Sequence, residues 1–160
     1  MNRSRRILCL AAALAVAFSL GARAAEAKDP LEGSWLLNVE KSTFKVAPGP
    51  KGQTRTYALH DGVEKMTARG VSWDRKPTLV QYEARYDGKD YDINGSLGGD
   101  KISLRRIDTN TTESSQKRGG KVVIVATRTV SADGKTLTVV SKGSTAEGQT
   151  IDSILIFERW

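Results

Sequence analysis

The chain has 160 residues and a formal net charge of +7, with one histidine and one cysteine. So few histidines and cysteines exclude a metal site built from several ligands of these types, and a single cysteine excludes an internal disulfide. At this length we expect one domain whose stability depends on a hydrophobic core.

The N-terminus has the pattern of a secretory signal peptide. Three arginines precede an apolar run over residues 7–22, and A-x-A sites predict cleavage after Ala24 or Ala27. The apolar run is short and is followed at once by small residues, which is unlike a retained membrane span. We therefore predict a signal peptide over residues 1–24 and a mature domain over residues 28–160, periplasmic or secreted and without a stable membrane anchor.

The export route and the mature charge both depend on the arginines of this signal. Arg5-Arg6 and the residues around them partly resemble a twin-arginine signal, but departures after the pair favour ordinary secretion. Cleavage after Ala24 removes four arginines and leaves a net charge of +3, and cleavage after Ala27 also removes Glu26 and leaves +4. A mature charge this small gives only weak attraction to anionic surfaces.

Strand-like segments follow from residue 33 onward, rich in Val, Ile, Thr and Tyr. Pairs such as Asp61-Gly62, Gly98-Gly99 and Gly119-Gly120 supply the positive φ angles that tight hairpins need. Consecutive hairpins predict an up-and-down antiparallel meander, and no segment has the apolar period of a helix. We predict strands near residues 34–40, 54–60, 63–72, 78–86, 90–96, 101–108, 111–117, 121–131, 136–143 and 150–159.

One predicted connection is long. It runs from Lys41 to Gln53 and joins the first two strands. Because it contains Pro48-Gly49-Pro50, it is too rich in proline for a helix, and the pattern predicts an ordered Ω-like loop or a mobile flap.

The alternation of apolar and polar side chains within strands predicts which face of the sheet is buried. In residues 78–86, Val80, Tyr82, Ala84 and Tyr86 share one face and polar residues share the other, as in a strand with one buried face. An open meander of this length would leave two long edges prone to aggregation, and pairing the first strand with the last removes them. We therefore predict an all-β fold, a single up-and-down barrel of about 8–10 strands.

Two motifs lie at the ends of the predicted domain, Gly33-Ser34-Trp35 and Ile156-Phe157-Glu158-Arg159. The first resembles the G-x-W signature of the calycins, the superfamily of lipocalins, fatty-acid-binding proteins and avidins. The second resembles the last strand of fatty-acid-binding proteins. The run over residues 130–139 is similar to small lipocalin-like proteins exported by bacteria. The resemblance covers residues 33–160 and implies a calycin-like barrel.

Departures limit what this resemblance implies about function. Where fatty-acid-binding proteins have an arginine that helps hold the ligand carboxylate, this chain has Leu155, and the aromatic residue that follows is Phe157 rather than tyrosine. Their helix-turn-helix lid has no counterpart in the proline-rich connection, and the tryptophans of an avidin biotin site are missing. The resemblance implies the barrel and not these ligand sites.

Gly33, Trp35 and Arg159 are predicted to close one end of the barrel. A large aromatic side chain at the start of the first strand is expected to plug the core, with the guanidinium of Arg159 stacked on its ring as a cation–π cover. A direct ligand contact by Trp35 is the alternative. We expect Trp35 to contribute to the stability of the fold rather than to ligand binding.

The candidate ligand contacts are residues that alternation allows to face the lumen. An inward arginine would bind an acidic head group, and tyrosines would offer apolar rings with hydroxyl groups. The alternatives are outward-facing arginines, arginines paired with carboxylates, and tyrosines that only fill the core. The candidates are Tyr57, Tyr82, Tyr86, Arg106, Arg128, Leu155 and Phe157.

No motif predicts catalysis. A catalytic triad would need His60, the only histidine, and no serine lies in a nucleophile elbow. We predict no catalytic residue, metal, cofactor or nucleic-acid partner. The main hypothesis is an exported barrel that binds an unidentified small apolar or amphipathic molecule in its lumen. The alternative is a non-enzymatic structural or interaction module whose interior is filled by side chains, and the volume of the lumen distinguishes the two.

Overall fold

The computed structural model describes residues 28–45 and 48–160, so the predicted signal peptide lies outside the described residues. Within them the chain forms ten β-strands and no helix, as predicted. These residues therefore contain no helix that is long and apolar enough to span a membrane. The strands are β1 (Gly33–Phe44), β2 (Gly52–His60), β3 (Val63–Val71), β4 (Pro77–Arg85), β5 (Tyr91–Asn94), β6 (Lys101–Arg106), β7 (Thr111–Arg118), β8 (Lys121–Val130), β9 (Thr136–Ser144) and β10 (Thr150–Arg159).

The strands follow one another around a closed barrel. Each strand pairs antiparallel with its neighbours in the chain, and β1 also pairs with β10, which completes the barrel. In that closing pair Trp35 lies opposite Arg159 and Leu37 lies opposite Phe157. The predicted meander and its closure by the first and last strands are therefore confirmed.

The connections between strands define two ends of the barrel. The closed end holds the segment 28–32 and the β2–β3, β4–β5, β6–β7 and β8–β9 connections. The mouth end holds the remaining connections, which are residues 45–51, 72–76, 95–100, 119–120 and 145–149.

Side chains alternate between the lumen and the outer wall. In β3, for example, Glu64, Met66 and Ala68 are buried, whereas Lys65 and Arg69 are exposed. The inward residues of the strands form one continuous apolar cluster, because the pleat sends every second side chain to the same face.

The first strand is longer than predicted. The prediction placed Lys41 in a long loop, whereas β1 continues to Phe44. The register with β10 is broken after Asn38, and the Ser42 hydroxyl fills the gap by donating to the Asn38 carbonyl (2.7 Å) and accepting from the Ile156 amide (3.0 Å). Because a side chain replaces the missing ladder bonds, a polar run that looks like a loop remains part of the strand.

The β5–β6 connection also differs from the predicted Gly98-Gly99 turn. The positive φ angle is at Gly95 (73°), and neither Gly98 nor Gly99 has one. A Cβ on Gly99 would lie 2.2 Å from the Lys117 carbonyl oxygen. Glycine is therefore needed at residue 99 for close packing on β7 rather than for an unusual backbone angle.

Candidate functional site in the barrel lumen

Trp35 fills the closed end of the barrel. Its side chain is fully buried, and its indole Nε1 donates to the Leu31 carbonyl oxygen at 2.8 Å. The Arg159 guanidinium lies over the indole, 4.1 Å from the ring centroid. Gly33, with a φ of +131°, leaves room for this guanidinium, because a Cβ there would lie 2.7 Å from Arg159 Nη1.

Arg159 also forms hydrogen bonds to segments that are far apart in the sequence. Its guanidinium donates to the carbonyl oxygens of Pro30 (2.6 Å), Glu32 (2.9 Å) and Gly134 (2.6 Å). These bonds join the segment 28–32 to the β8–β9 connection across the closed end. Because its donors are occupied in this way, Arg159 acts as part of a structural seal rather than as a ligand contact.

A buried ion pair crosses the lumen. Glu64 on β3 and Arg128 on β8 are 0% and 3% exposed, and Arg128 Nη1 lies 2.7 Å from Glu64 Oε1. The Tyr82 hydroxyl donates to the same carboxylate oxygen at 2.5 Å and accepts from Arg128 Nη1 at 2.8 Å. The Tyr86 hydroxyl donates to the second carboxylate oxygen. These four residues form the polar cluster.

The polar cluster keeps Glu64 ionised. Burial by itself raises the pKa of its carboxyl group, but the charge of Arg128 and the hydrogen bonds from Tyr82, Tyr86 and Arg128 outweigh burial and lower the pKa below its ordinary value. Burial is also the main cause that raises the pKa of both tyrosines, so their hydroxyls remain protonated donors. At neutral pH the cluster is an ion pair with no net charge.

Two nitrogens of Arg128 have no hydrogen-bond partner within the described part of the chain. Its Nη1 donates to Glu64 and Tyr82, whereas Nε and Nη2 are buried and have no partner among the described residues. A buried donor without a partner costs about 1–3 kcal/mol, so the fold holds this edge of the guanidinium at a cost. Guanidinium groups bind carboxylates bidentately through two parallel N–H donors. The free edge of Arg128 is therefore suited to a ligand oxygen.

A cavity of about 300 Å³ lies against Arg128 in the lumen. It continues into a hollow of about 410 Å³ at the mouth end, since Trp73, Leu97 and Leu155 line both. Its wall is mostly apolar but also includes several polar side chains, among them Ser114 and Gln116, as in sites that bind small molecules. Apolar residues of the wall include Met66, Ala68, Val80, Ile93, Ile102 and Ile124.

A second cation, Arg55 on β2, faces this cavity and was not among the predicted contacts. Its guanidinium lies 4.7 Å from the Phe157 ring centroid, and its Nε donates to Gln53 Oε1 at 2.8 Å. Within the described part of the chain no carboxylate pairs with Arg55 and no Asp or Glu lines the cavity. The alternation of side chains along β2 could have predicted that Arg55 faces inward, since Gln53, Arg55 and Tyr57 share one face of the strand.

The seven predicted lumen residues fall into two groups. Those that line the cavity are Tyr57, Tyr82, Arg128 and Leu155. Phe157 is fully buried beneath Arg55, and Tyr86 belongs to the polar cluster. Arg106 is half-buried, pairs with Asp29 and lies 4.5 Å from the Tyr86 ring centroid. Of the two predicted arginines, only Arg128 lines the cavity.

Acid is expected to weaken the fold through Glu64. Its pKa is lower in the folded protein than in the unfolded chain (about 4.3), so its contribution to stability is complete above that value and is lost as the pH falls through the folded-state pKa. Urea unfolding between pH 7 and pH 3 should show a larger loss of free energy in the wild type than in Glu64→Gln. Equal losses would contradict this role, because exposed carboxylates with a lowered pKa, such as Asp74, are present in both proteins.

Comparisons with known proteins bear on the fold. The chain matches no known protein-family model and no curated protein. It is similar to the crystal structure of the zebrafish ileal bile acid-binding protein complexed with cholic acid, with a TM-score of 0.53 and 12% sequence identity over 82% of this chain and 99% of that chain. At this identity the likeness establishes the fold alone. The chain therefore has a calycin-like β-barrel fold, as the resemblance implied.

Proposed function

We propose that the protein binds one small amphipathic molecule in the barrel lumen. The acidic head group lies against Arg128 and Arg55, and the apolar part extends towards the mouth end. The observation that carries the proposal is that Arg128 lines a mostly apolar cavity while its buried Nε and Nη2 have no hydrogen-bond partner among the described residues. A ligand with two acceptor oxygens would satisfy these donors.

The charges around the cavity favour a head group with one negative charge. Arg128 and Arg55 are both cationic, and Glu64 in the polar cluster is the one carboxylate that pairs with either of them among the described residues. This leaves an excess of one positive charge at the cavity wall. Because an unpaired charge is costly in an apolar surrounding, a monoanion is expected to bind more tightly than a neutral molecule or a cation.

The volume of the lumen supports binding over the alternative of a filled interior. A cavity of about 300 Å³ is at the lower end of the range for small-molecule sites, and it has an outlet at the mouth end. The zebrafish structure with the same fold is a complex with cholic acid, which supports a ligand of this kind. We also propose that the protein acts by binding without catalysis, and outside the cytoplasm, as its N-terminal sequence suggests.

Calorimetric titration with three probes of similar chain length tests the proposal. We expect dodecanoate to bind more tightly than dodecanol, and dodecyltrimethylammonium not to bind. Replacing Arg55 with glutamine removes one head-group contact without disturbing the polar cluster, and should weaken dodecanoate binding about tenfold or more while leaving dodecanol unchanged.

The matched control is Arg69→Gln, which makes the same change of charge on the outer wall of β3, where Arg69 is exposed. It should leave dodecanoate binding unchanged. Equal affinity for dodecanoate and dodecanol, or equal weakening by the two arginine variants, would contradict the proposed head-group site.

A further inference from the structure

The mouth end exposes apolar side chains around the opening of the cavity. Trp73 is 57% exposed and Leu97 is 69% exposed, and both stand beside the opening of the cavity. Five of the nine large apolar side chains that the described residues expose lie in the mouth-end connections or within three residues of them, the others being Val71, Leu79 and Val122. Exposed apolar groups concentrated at one end of a barrel indicate a contact surface rather than scattered surface residues.

Charge is also distributed unevenly between the two ends. With one strand residue counted on either side of each connection, the mouth end has a formal charge of +4 and the closed end −2. The mouth end is therefore cationic, although the mature domain as a whole has only a small net charge. At the mouth end the cations are Lys45, Lys51, Arg75, Lys76, Lys101, Arg118 and Lys121, against Asp74, Asp100 and Glu147.

Part of this positive charge is free to act on a partner. Lys76 pairs with Asp74 at 2.8 Å and Lys45 pairs with Asp152 at 3.3 Å. Lys51, Arg75 and Lys121 are exposed and form no ion pair with any residue that the structure describes. An exposed tryptophan among unpaired cations fits a lipid surface with negative headgroups, because indole rings prefer the interface and the cations are attracted to the anionic lipids.

We propose that the mouth end docks reversibly on an anionic phospholipid bilayer, with Trp73 and Leu97 entering the interface. The cavity would then open directly against the lipid. A few cations and a few apolar side chains give weak, salt-sensitive attachment rather than an anchor. Docking does not require the head-group site at Arg128, so the two proposals stand or fall separately.

Two tryptophans provide a test of orientation. Trp73 marks the mouth end and Trp160, which is 80% exposed, marks the closed end, while Trp35 is buried and common to both variants. Trp160→Phe should show a blue shift and quenching by brominated lipid when vesicles of phosphatidylglycerol and phosphatidylcholine are added. Trp73→Phe should show neither. Vesicles of phosphatidylcholine alone should give no response, and added salt should reverse the effect.

Matched charge variants test the electrostatic part. Arg75→Gln with Lys121→Gln should lower the partition coefficient onto the mixed vesicles by about fivefold for each cation removed. Lys28→Gln with Lys135→Gln makes the same change at the closed end and should have no effect. Absence of vesicle binding, equal binding to phosphatidylcholine alone, a response from Trp160, or equal weakening by the two pairs of variants would each overturn the proposal.

Discussion

Replacing Trp35 with alanine is expected to lower the free energy of unfolding by about 3–5 kcal/mol. The indole is fully buried, donates to the Leu31 carbonyl oxygen and lies beneath the Arg159 guanidinium. Alanine would leave a cavity at the closed end, the Leu31 carbonyl oxygen would lose its donor, and the Arg159 guanidinium would lose the ring beneath it. Urea unfolding of the two proteins at pH 7 measures the difference.

Trp160→Ala is the matched control for this experiment. Its side chain is 80% exposed, so its loss should change the free energy of unfolding by no more than about 0.5 kcal/mol. A loss below about 1 kcal/mol in Trp35→Ala would show that Trp35 does not seal the barrel.

Replacing Glu64 with glutamine is expected to have an effect of similar size, about 3–5 kcal/mol at pH 7. The substitution leaves Arg128 as a buried cation without its counter-charge, and it removes the carboxylate that accepts from Tyr82 and Tyr86. Urea unfolding again measures the change. If the single variant is too unstable to fold and the double variant described next does fold, the expected order of stability still holds.

Two further variants separate the ion pair from a general effect of losing a carboxylate. Glu83→Gln breaks only the exposed pair with Lys65 and should cost less than about 1 kcal/mol. Glu64→Leu combined with Arg128→Met removes both buried charges and should be more stable than Glu64→Gln, because no buried charge is left unpaired. A double variant that is less stable than Glu64→Gln would contradict this account of the polar cluster.

The architecture follows from local patterns in the sequence. Alternation of period 2 and the Asp-Gly and Gly-Gly pairs mark ten strands, and the need to protect two long edges leads to closure of the barrel. The extension of β1 could not be predicted in this way, because Ser42 replaces the missing ladder bonds with its own hydroxyl. A side-chain hydrogen bond that takes the place of a backbone ladder bond leaves no periodic signal in the sequence.

The candidate site was predictable only in part. Alternation places Tyr82 and Arg128 on inward faces, but it does not show which residues meet across the lumen. Glu64 and Arg128 are 64 positions apart and lie on strands that are not neighbours in the sheet, so no spacing in the sequence connects them. Arg55 was not among the predicted contacts, although its alternation with Tyr57 places it on the inward face of β2.

The crystal structure of the protein with bound dodecanoate tests the central claim most directly. We predict one ligand in the lumen, with its carboxylate oxygens within hydrogen-bond distance of Arg128 Nε and Nη2 and its chain passing Leu155 towards Trp73. A carboxylate at the mouth end with Nε and Nη2 still unpartnered, or a lumen without ligand at a saturating concentration, would contradict the account.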